Sequence, residues 1–457
     1  MHLIAKRLSQ PKKIFWTGEW AHICALRGWV LLLPAYAKRS RMNLLMLCTK
    51  PPWPARDGGT LAMLNMVKAF HRAGHQVTVL AMNTSKHYLY LRDLPEAIQS
   101  LADFYLVDVD TKIRLRDVIA NFIFSQESYH VQRFTSGPFR AQLEELLKRQ
   151  PYDVVQLEGL YTAPYIDTIR EMAPNAVVAL RTHNIEHEIW ARRAENETRP
   201  LRKYVYMETA DRIRAYEEEV FASNPFDVLV PITGRDAGFF KKMGVKTPLH
   251  VCPTGYDGAD LQPDLDEAEE EVEMVFPSVG YLGAMDWEPN REGVKWFLEE
   301  VWPLVSATFP EVKFSLAGRS MPAKFYRYAS DSVQVLGEVP DAARFLESQA
   351  ILVVPVLSGS GMRIKIIEGM AHGRAIVATH LAAEGIGVTD RDHIFLADDP
   401  AEFAERIKVL IEQRALYDAI AQRAAEFIRT RFNNDRLVGN LLNFYQQHLR
   451  AAEAPSE

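Results

Sequence analysis

The sequence predicts an α/β protein built from two successive domains of alternating strands and helices, and three observations carry that prediction. Short apolar, β-branched runs recur along the chain, and most are followed by a turn and then a stretch with helical spacing. A dense acidic run, Asp264 to Glu273, separates the two series and reads as a solvated linker. Within the second series, Ile351 to Val356 reads as a buried strand, Leu357 to Gly361 as a Ser/Gly turn, and Met362 onward as a helix that stops at Gly373.

Composition sets the outer bounds. The 457 residues are long enough for two or three cores, and 48% hydrophobic with 25% charged residues is the balance of a soluble globular protein. A net charge of −6 and a pI near 6.2 exclude a nucleic-acid partner held through its phosphates. Cys24, Cys48 and Cys252 are far apart and odd in number, which fits a reducing compartment and a cytoplasmic location. No apolar run approaches the roughly 20 residues of a membrane span.

Residues 1–41 differ from the rest: eight Lys or Arg and one acid, Glu19, surround the patch GWVLLLPAYA. Arg27 interrupts that patch, so it does not read as a secretory signal. Two readings stay open: a basic segment resting on an anionic membrane at its inner face, or an upstream extension without function. The second is favoured, because Met42 begins what reads as a complete domain; deleting 1–41 is expected to leave activity intact.

From Met42 the elements follow in order. Met42 to Cys48 is the first parallel strand, and a Pro-rich loop leads through Gly58 and Gly59 into a helix from Thr60 to Ala73. Gln76 to Leu80 is the next strand. Residues 85–150 read as mostly helical and polar, with Phe122, Phe124, Tyr129 and Phe134 on an acceptor-facing side. Val154 to Leu157 and Ala176 to Leu180 are strands, and the second runs into R-T-H-N-I-E-H. His183 therefore falls beyond the carboxyl end of a strand, where open α/β sheets place ligands. Three readings remain for it: a hydrogen-bonded loop histidine, a metal pair with His187 that lacks a third ligand and the HExxH order, or a catalytic group. Tyr204 to Phe221 reads as an exposed charged helix, Asp227 to Ile232 as a strand, and Thr233 as the cap of a helix through Phe240.

The second domain opens with the strand Ser278 to Ala284. The helix after Asn290 sets Val294, Phe297, Leu298, Val301, Trp302 and Val305 on one face. Val312 to Ala317, Val333 to Val339 and Ala375 to Thr379 complete its sheet. Arg319 follows a strand on the cleft side and reads either as a surface cation or as a phosphate or base contact. Residues from Pro400 on are helical, with a long last helix from Asn434 to Arg450.

The strand, turn and helix at 351–373 form an anion cradle. Amides of a first helical turn lack helix partners and lie at the positive end of the dipole, and Arg363 and Lys365 add charge there. Ile364, Ile366, Ile367, Met370 and Ala371 share one arc, with Glu368 at its rim, placed to accept hydrogen bonds from ribose hydroxyls. The run G-M-R-I-K-I-I-E-G-M-A-H-G resembles the nucleotide-sugar signature of the retaining glycosyltransferases of group 1, also called family 4. The resemblance spans Met42 to about Arg450 and includes P-T-G-Y-D, with Gly255 and Asp257 in their usual positions.

The resemblance implies two Rossmann-like domains facing a central cleft, the GT-B type. The divisions expected are a basic extension 1–41, an acceptor domain 42–260, the acidic linker 261–275, a donor domain 276–433, and a C-terminal helix and tail 434–457 that pack back on the first domain. It implies catalytic roles for His183, Arg363 and Lys365. Donor or acceptor contacts are implied for Gly58, Gly59, Asn184, Glu186, Asn290, Arg319, Ser360, Gly361 and Glu368, and backbone contacts to the base for Gly337 to Val339. The activity implied is retaining transfer of a sugar from a nucleotide-diphosphate sugar to a glycan or lipid-linked acceptor in cell-surface glycan or polysaccharide synthesis. It needs no cofactor and no obligatory metal. The sequence departs from the common pattern at Ser360, where a second Glu is usual, at Gly369 for Ala, and at Ala284 for a basic residue. A sugar-nucleotide epimerase of the same fold and a non-catalytic nucleotide-sugar-binding subunit are the rival readings.

Overall fold

The computed structural model describes residues 41–457 apart from 56, 113, 115–120, 122–127, 258–271, 360 and 454–457. Residues 1–40, most of the acidic run, Phe122, Phe124 and Ser360 lie outside the described residues.

Two six-stranded parallel sheets form the molecule. In the first, the order is β3-β2-β1-β4-β5-β6, from β1 (Asn43–Cys48), β2 (Gln76–Asn83), β3 (Asp103–Asp108), β4 (Val154–Glu158), β5 (Val177–Thr182) and β6 (Val228–Pro231). The connecting helices are α1 (Gly58–Arg72), α2 (Gly137–Arg149), α3 (Ile166–Met172), α4 (Glu186–Asn196), α5 (Pro200–Ser223) and, after β6, α6 (Gly234–Lys242). In register, Leu44 lies beside Val77 and Val154, so β1 is the centre of the sheet and is buried along its length. Strand alternation then divides the core. Leu45 and Leu47 face Phe139 and Leu143 of α2, Ile166 and Ile169 of α3, and Phe240 of α6. Leu44, Met46 and Cys48 face Met63, Met66, Val67 and Phe70 of α1.

The second sheet has the order β12-β11-β10-β7-β8-β9. Its strands are β7 (Val275–Leu282), β8 (Phe314–Ala317), β9 (Val333–Gly337), β10 (Gln349–Val354), β11 (Ala375–Ala378) and β12 (Phe395–Leu396). Helix α7 (Glu288–Trp296) follows β7, α8 (Ile364–Ala371) follows β10, and α9 (Pro400–Glu412), α10 (Arg414–Arg431) and α11 (Asn434–Glu453) close the chain. Ile351 and Val353 pack with Val294, Phe297, Trp302, Phe403 and Ile407. On the other face Leu352 and Val354 pack with Ile366, Ile367 and Met370 of α8 and Ala424 and Ile428 of α10. Gly369 has a packing reason: a Cβ there would stand 2.7 Å from Leu352 Cδ1 and 2.8 Å from Ile376 Cδ1, so glycine lets α8 lie close on the sheet.

The chain passes between the sheets twice, and the two passages touch. The Tyr256 amide donates to the Phe432 carbonyl at 2.7 Å, and the Asn434 amide donates to the Tyr256 carbonyl at 3.2 Å. A Cβ on Gly255 would sit 2.6 Å from Asn434 Cα, which only glycine allows. Asn65 of α1 braces both passages, donating to the Gly255 carbonyl at 2.9 Å and accepting from Asn434 at 2.7 Å through its own carbonyl. From there α11 buries Val438, Leu441, Leu442 and Tyr445 against the first sheet.

Three expectations are corrected. The stretch 85–150 holds the edge strand β3, whose Phe104 to Val107 are only half-buried, so its apolar signal is short and framed by Asp103 and Asp108. Helix α8 starts at Ile364 instead of Met362, because Gly359 and Gly361 carry φ of +103° and +85° and keep the turn open longer. The first helix starts at Gly58 and not at Thr60, because Asp57 caps it by accepting from the Gly59 and Thr60 amides.

Candidate active site

The ends of β10 and β7 build one wall of the cleft. Arg363 occupies the N-cap position of α8 and no side chain there accepts from the first turn. Those amides, with the helix dipole behind them, favour an anion. The Arg363 guanidinium donates to the Gly361 carbonyl. Lys365 Nζ donates to Tyr281 Oη at 3.0 Å and to Asn290 Oδ1 at 3.3 Å, and lies 4.4 Å from the centre of the Tyr281 ring. Asn290 is itself fixed by donating to the Ala284 carbonyl at 2.8 Å. Gly283 makes this possible, because a Cβ there would stand 2.5 Å from Lys365 Nζ.

Both cations are held at a cost. Burial first, then the Arg363 charge, pushes Lys365 down to about 7, against the pull of Glu368. Burial and the neighbouring Arg192 push Arg363 down to about 10, where it stays charged at neutral pH. Two desolvated like charges at an open helix start are relieved by a bound anion.

The opposite wall is the carboxyl end of β4 and β5. Glu158, fully buried, accepts from His183 Nε2 at 2.6 Å, from Arg181 Nη1 at 3.1 Å and from the Gln156 amide. Burial alone would raise its carboxyl; the Arg181 charge and the His183 hydrogen bond outweigh that and hold it at about 2. An ionised carboxylate only accepts, so His183 Nε2 carries the proton shared with Glu158. Tyr445 of α11 donates to Gln156 Oε1 at 2.8 Å, which ties the last helix to this network.

Glu217 of α5 accepts from the Glu186 amide at 2.9 Å and the His187 amide at 3.3 Å, capping α4, and also holds the His187 ring. His183 and His187 thus answer to different carboxylates. Among the described residues no group of three or more His, Cys, Asp or Glu is arranged to hold a metal ion. Burial and the Glu217 charge raise the Glu186 carboxyl to about 7, opposed by hydrogen bonds with Tyr161 and Asn184.

The walls meet at the turn before α8. A Cβ on Gly361 would stand 2.5 Å from Asn184 Oδ1 and 3.8 Å from the His183 carbonyl oxygen. Arg192 of α4 donates to the Gly359 carbonyl. Glu384 is pinched between Arg192, at 3.5 Å, and Arg235, at 3.1 Å, while Arg235 also reaches Glu188 at 2.7 Å. A Cβ on Gly58 would come within 3.4 Å of Ile364 Cγ1. The start of α1 beside it is filled: Asp57 accepts from the Gly59 amide at 2.9 Å and the Thr60 amide at 3.0 Å and pairs with Lys50 at 2.8 Å. Burial opposes the charge on Asp57, but Lys50 prevails and holds it at about 2.

The structure therefore brings His183, Asn184, Glu186, Gly58, Asn290, Gly361, Arg363 and Lys365 to one cleft, with Glu368 beside Lys365 on the rim of α8. The Gly59 amide is committed to Asp57. Arg319 Nη2 lies 3.5 Å from Asp286 Oδ1, while its buried Nε has no hydrogen-bond partner among the described residues. Glu158, Asp57, Arg192 and Glu384 were not singled out in the sequence. A Glu ending the apolar run VVQLE was a usable signal, since a charge there demands a partner. Arg192 and Glu384 meet only in three dimensions.

Comparison with known proteins agrees with this architecture. The fold matches sucrose-phosphate synthase from Thermosynechococcus elongatus with a TM-score of 0.65 at 14% identity, covering 90% of this chain and 100% of that one. HepE of Anabaena, solved in complex with UDP, matches with a TM-score of 0.57 at 14% identity over 89% of this chain and 100% of that chain. The two sheets and the cleft have the GT-B fold. Residues 276–413 match the family model described as "Glycosyl transferases group 1". An uncharacterized 44.6 kDa protein in the cps region of Klebsiella pneumoniae is 22% identical over 87% of this chain and 98% of its own length. A phosphatidyl-myo-inositol mannosyltransferase of Mycolicibacterium smegmatis is 31% identical over 38% of this chain, a match that spans 46% of that enzyme. Among the described residues, no helix is long and apolar enough to cross a membrane.

Proposed function

We propose that this chain transfers a sugar, with retention at the anomeric carbon, from a nucleotide-diphosphate sugar to a glycan or lipid-linked acceptor in the making of a cell-surface polysaccharide. The observation that carries the reading is the start of α8, where the N-cap residue caps no amide with its side chain and Arg363 and Lys365 are both desolvated, opposite His183 and Asn184. The donor diphosphate lies on that helix start, and Glu368 accepts from the ribose. As the bond to the sugar breaks, charge grows on the departing diphosphate; Arg363, Lys365 and the first-turn amides stabilise it without needing an obligatory metal. His183, oriented by Glu158, contacts the transferring sugar. Glu158 is a positioning residue and not a nucleophile, since it is fully buried and engaged by Arg181, His183 and Gln156. Asn184 and Glu186 contact the acceptor from the first domain, and closure of the cleft excludes water.

Support for a UDP-type donor comes from the UDP held by HepE, and for a surface-glycan role from the capsule-region relative. The experiment is release of nucleoside diphosphate from a panel of nucleotide sugars, with and without membrane or glycan acceptors, followed by NMR of the new anomeric centre. Acceptor-dependent release with retained configuration is expected. Interconversion of a donor with no acceptor present would make the protein an epimerase, and tight donor binding without turnover would make it a binding subunit.

A further inference from the structure

Helices α4 and α5 fold back on one another, Glu217 late in α5 bonding the first amides of α4. The far end of this hairpin has an unusual surface. Leu201 is 77% exposed, Tyr204 56%, Val205 37% and Met207 49%. Leu201, Tyr204 and Val205 share one face by their i, i+3, i+4 spacing, opposite the face through which α5 buries Ala210, Ile213 and Glu217. A helix in water carries charge on such a face. Here the charge flanks it: Arg199, Arg202 and Lys203 are exposed on the same turn. Of the nearby acids, Glu208 is committed to Arg212 at 2.8 Å, while Glu195 and Glu197, the latter accepting the Arg199 amide at 2.9 Å, face the three cations Arg199, Arg202 and Lys203.

We propose that this tip docks on an anionic phospholipid surface. Leu201, Tyr204 and Val205 enter the interfacial region, and Arg199, Arg202 and Lys203 meet lipid phosphates. Apolar and aromatic side chains ringed by Arg and Lys, in a chain whose net charge is −6, match the chemistry of that boundary better than that of water. The patch also reaches the cleft. Arg193 stacks its guanidinium on Trp190 at 5.1 Å, Tyr206 at 5.4 Å and, across the domain boundary, Trp287 at 6.0 Å. Trp287 occupies the N-cap position of α7, whose Asn290 accepts from Lys365. Docking stands without the transferase reading; together with it, docking delivers a lipid-borne acceptor beside the donor site.

The test is co-sedimentation of the full chain with vesicles of phosphatidylcholine alone and of phosphatidylcholine mixed with phosphatidylglycerol. The parent protein is expected to bind only the anionic vesicles. Each basic side chain near such a surface is worth about fivefold in partitioning, so R202E/K203E lowers binding by at least about tenfold. L201E/Y204E lowers it similarly, while K241E/K242E on α6, a charge-matched control, does not; melting temperatures of all three stay at the parent value. Equal binding by the parent and the two tip variants would place membrane contact elsewhere, such as residues 1–41, and overturn the proposal. So would absence of binding by the parent, or a parent dimer that L201E/Y204E converts to monomer.

Discussion

Two strand-to-helix junctions face one another across the cleft, and they meet the same physical problem in opposite ways. At the start of α1, the orphan amides are answered from within: Asp57 accepts from Gly59 and Thr60 and is neutralised by Lys50. At the start of α8, the residue in the capping position is Arg363, which turns to the Gly361 carbonyl, and a second cation follows at Lys365. A capped terminus is structurally complete. An uncapped one with two desolvated cations is less stable than it need be, and in the proposed reading that deficit is what a donor diphosphate would relieve. Each sheet thus carries the same motif, and the two differ in the residue at the capping position, Asp57 in the first and Arg363 in the second.

Changing each junction in turn tests this difference. The largest effect is expected for Arg363→Ala, which removes charge stabilisation developed during transfer: turnover falls by about 10²- to 10³-fold. Thermal stability stays near the parent value, because the lost group was repelled by Arg192. In the first-domain wall, Glu158→Gln leaves Arg181 buried without its counter-ion and costs on the order of 3 kcal/mol of stability, read by denaturant unfolding. The Glu158 carboxyl is depressed to about 2, so its contribution is full above the ordinary carboxylate value near 4.5 and is lost as pH falls through 2. That acid-side loss is expected to be smaller in the variant.

Glu368→Ala removes the proposed ribose acceptor, and calorimetry is expected to show roughly 10- to 100-fold weaker nucleotide binding with the fold unchanged. The pH dependence of binding is milder. Lys365 has its ammonium depressed to about 7 when no anion is present. A bound diphosphate is expected to raise it again, so binding takes up protons above pH 7, and affinity for a nucleotide sugar drops by up to about 25-fold between pH 6.5 and 8.5. Lys365→Arg flattens that profile. The smallest change is Asp57→Ala, which loses a helix cap worth about 1 kcal/mol and leaves donor affinity where it was.

Much of the fold could be read from the chain because the central strands are uninterrupted apolar runs. NLLMLC, VVALRT and the QAILVV segment that becomes β10 are buried along their length, and only parallel-sheet interiors ask for such runs. β3 escaped because it is an edge strand with one face toward solvent. At the cleft, Arg363, Lys365 and Glu368 could be picked out because they sit within one short motif, where helical spacing fixes their relation. The partners that orient and charge-tune them could not. Tyr281 and Gly283 lie more than 80 positions before Lys365, and Arg192 lies nearly 170 before Gly359. Neither Glu158 nor Tyr445 shows by spacing that it supports His183. These relations are products of topology: they arise where β4, β5, β7 and β10 end on a common cleft.

The most direct measurement is calorimetric binding of UDP, GDP and ADP to the parent chain, Arg363→Ala, Glu368→Ala and Asp57→Ala. One nucleotide class is expected to bind, either change at α8 to weaken it at least about tenfold, and Asp57→Ala to leave its affinity unchanged. Unchanged affinity on altering Arg363 and Glu368, or loss of binding on altering Asp57, would contradict a nucleotide site at α8 and move the nucleotide to the other side of the cleft.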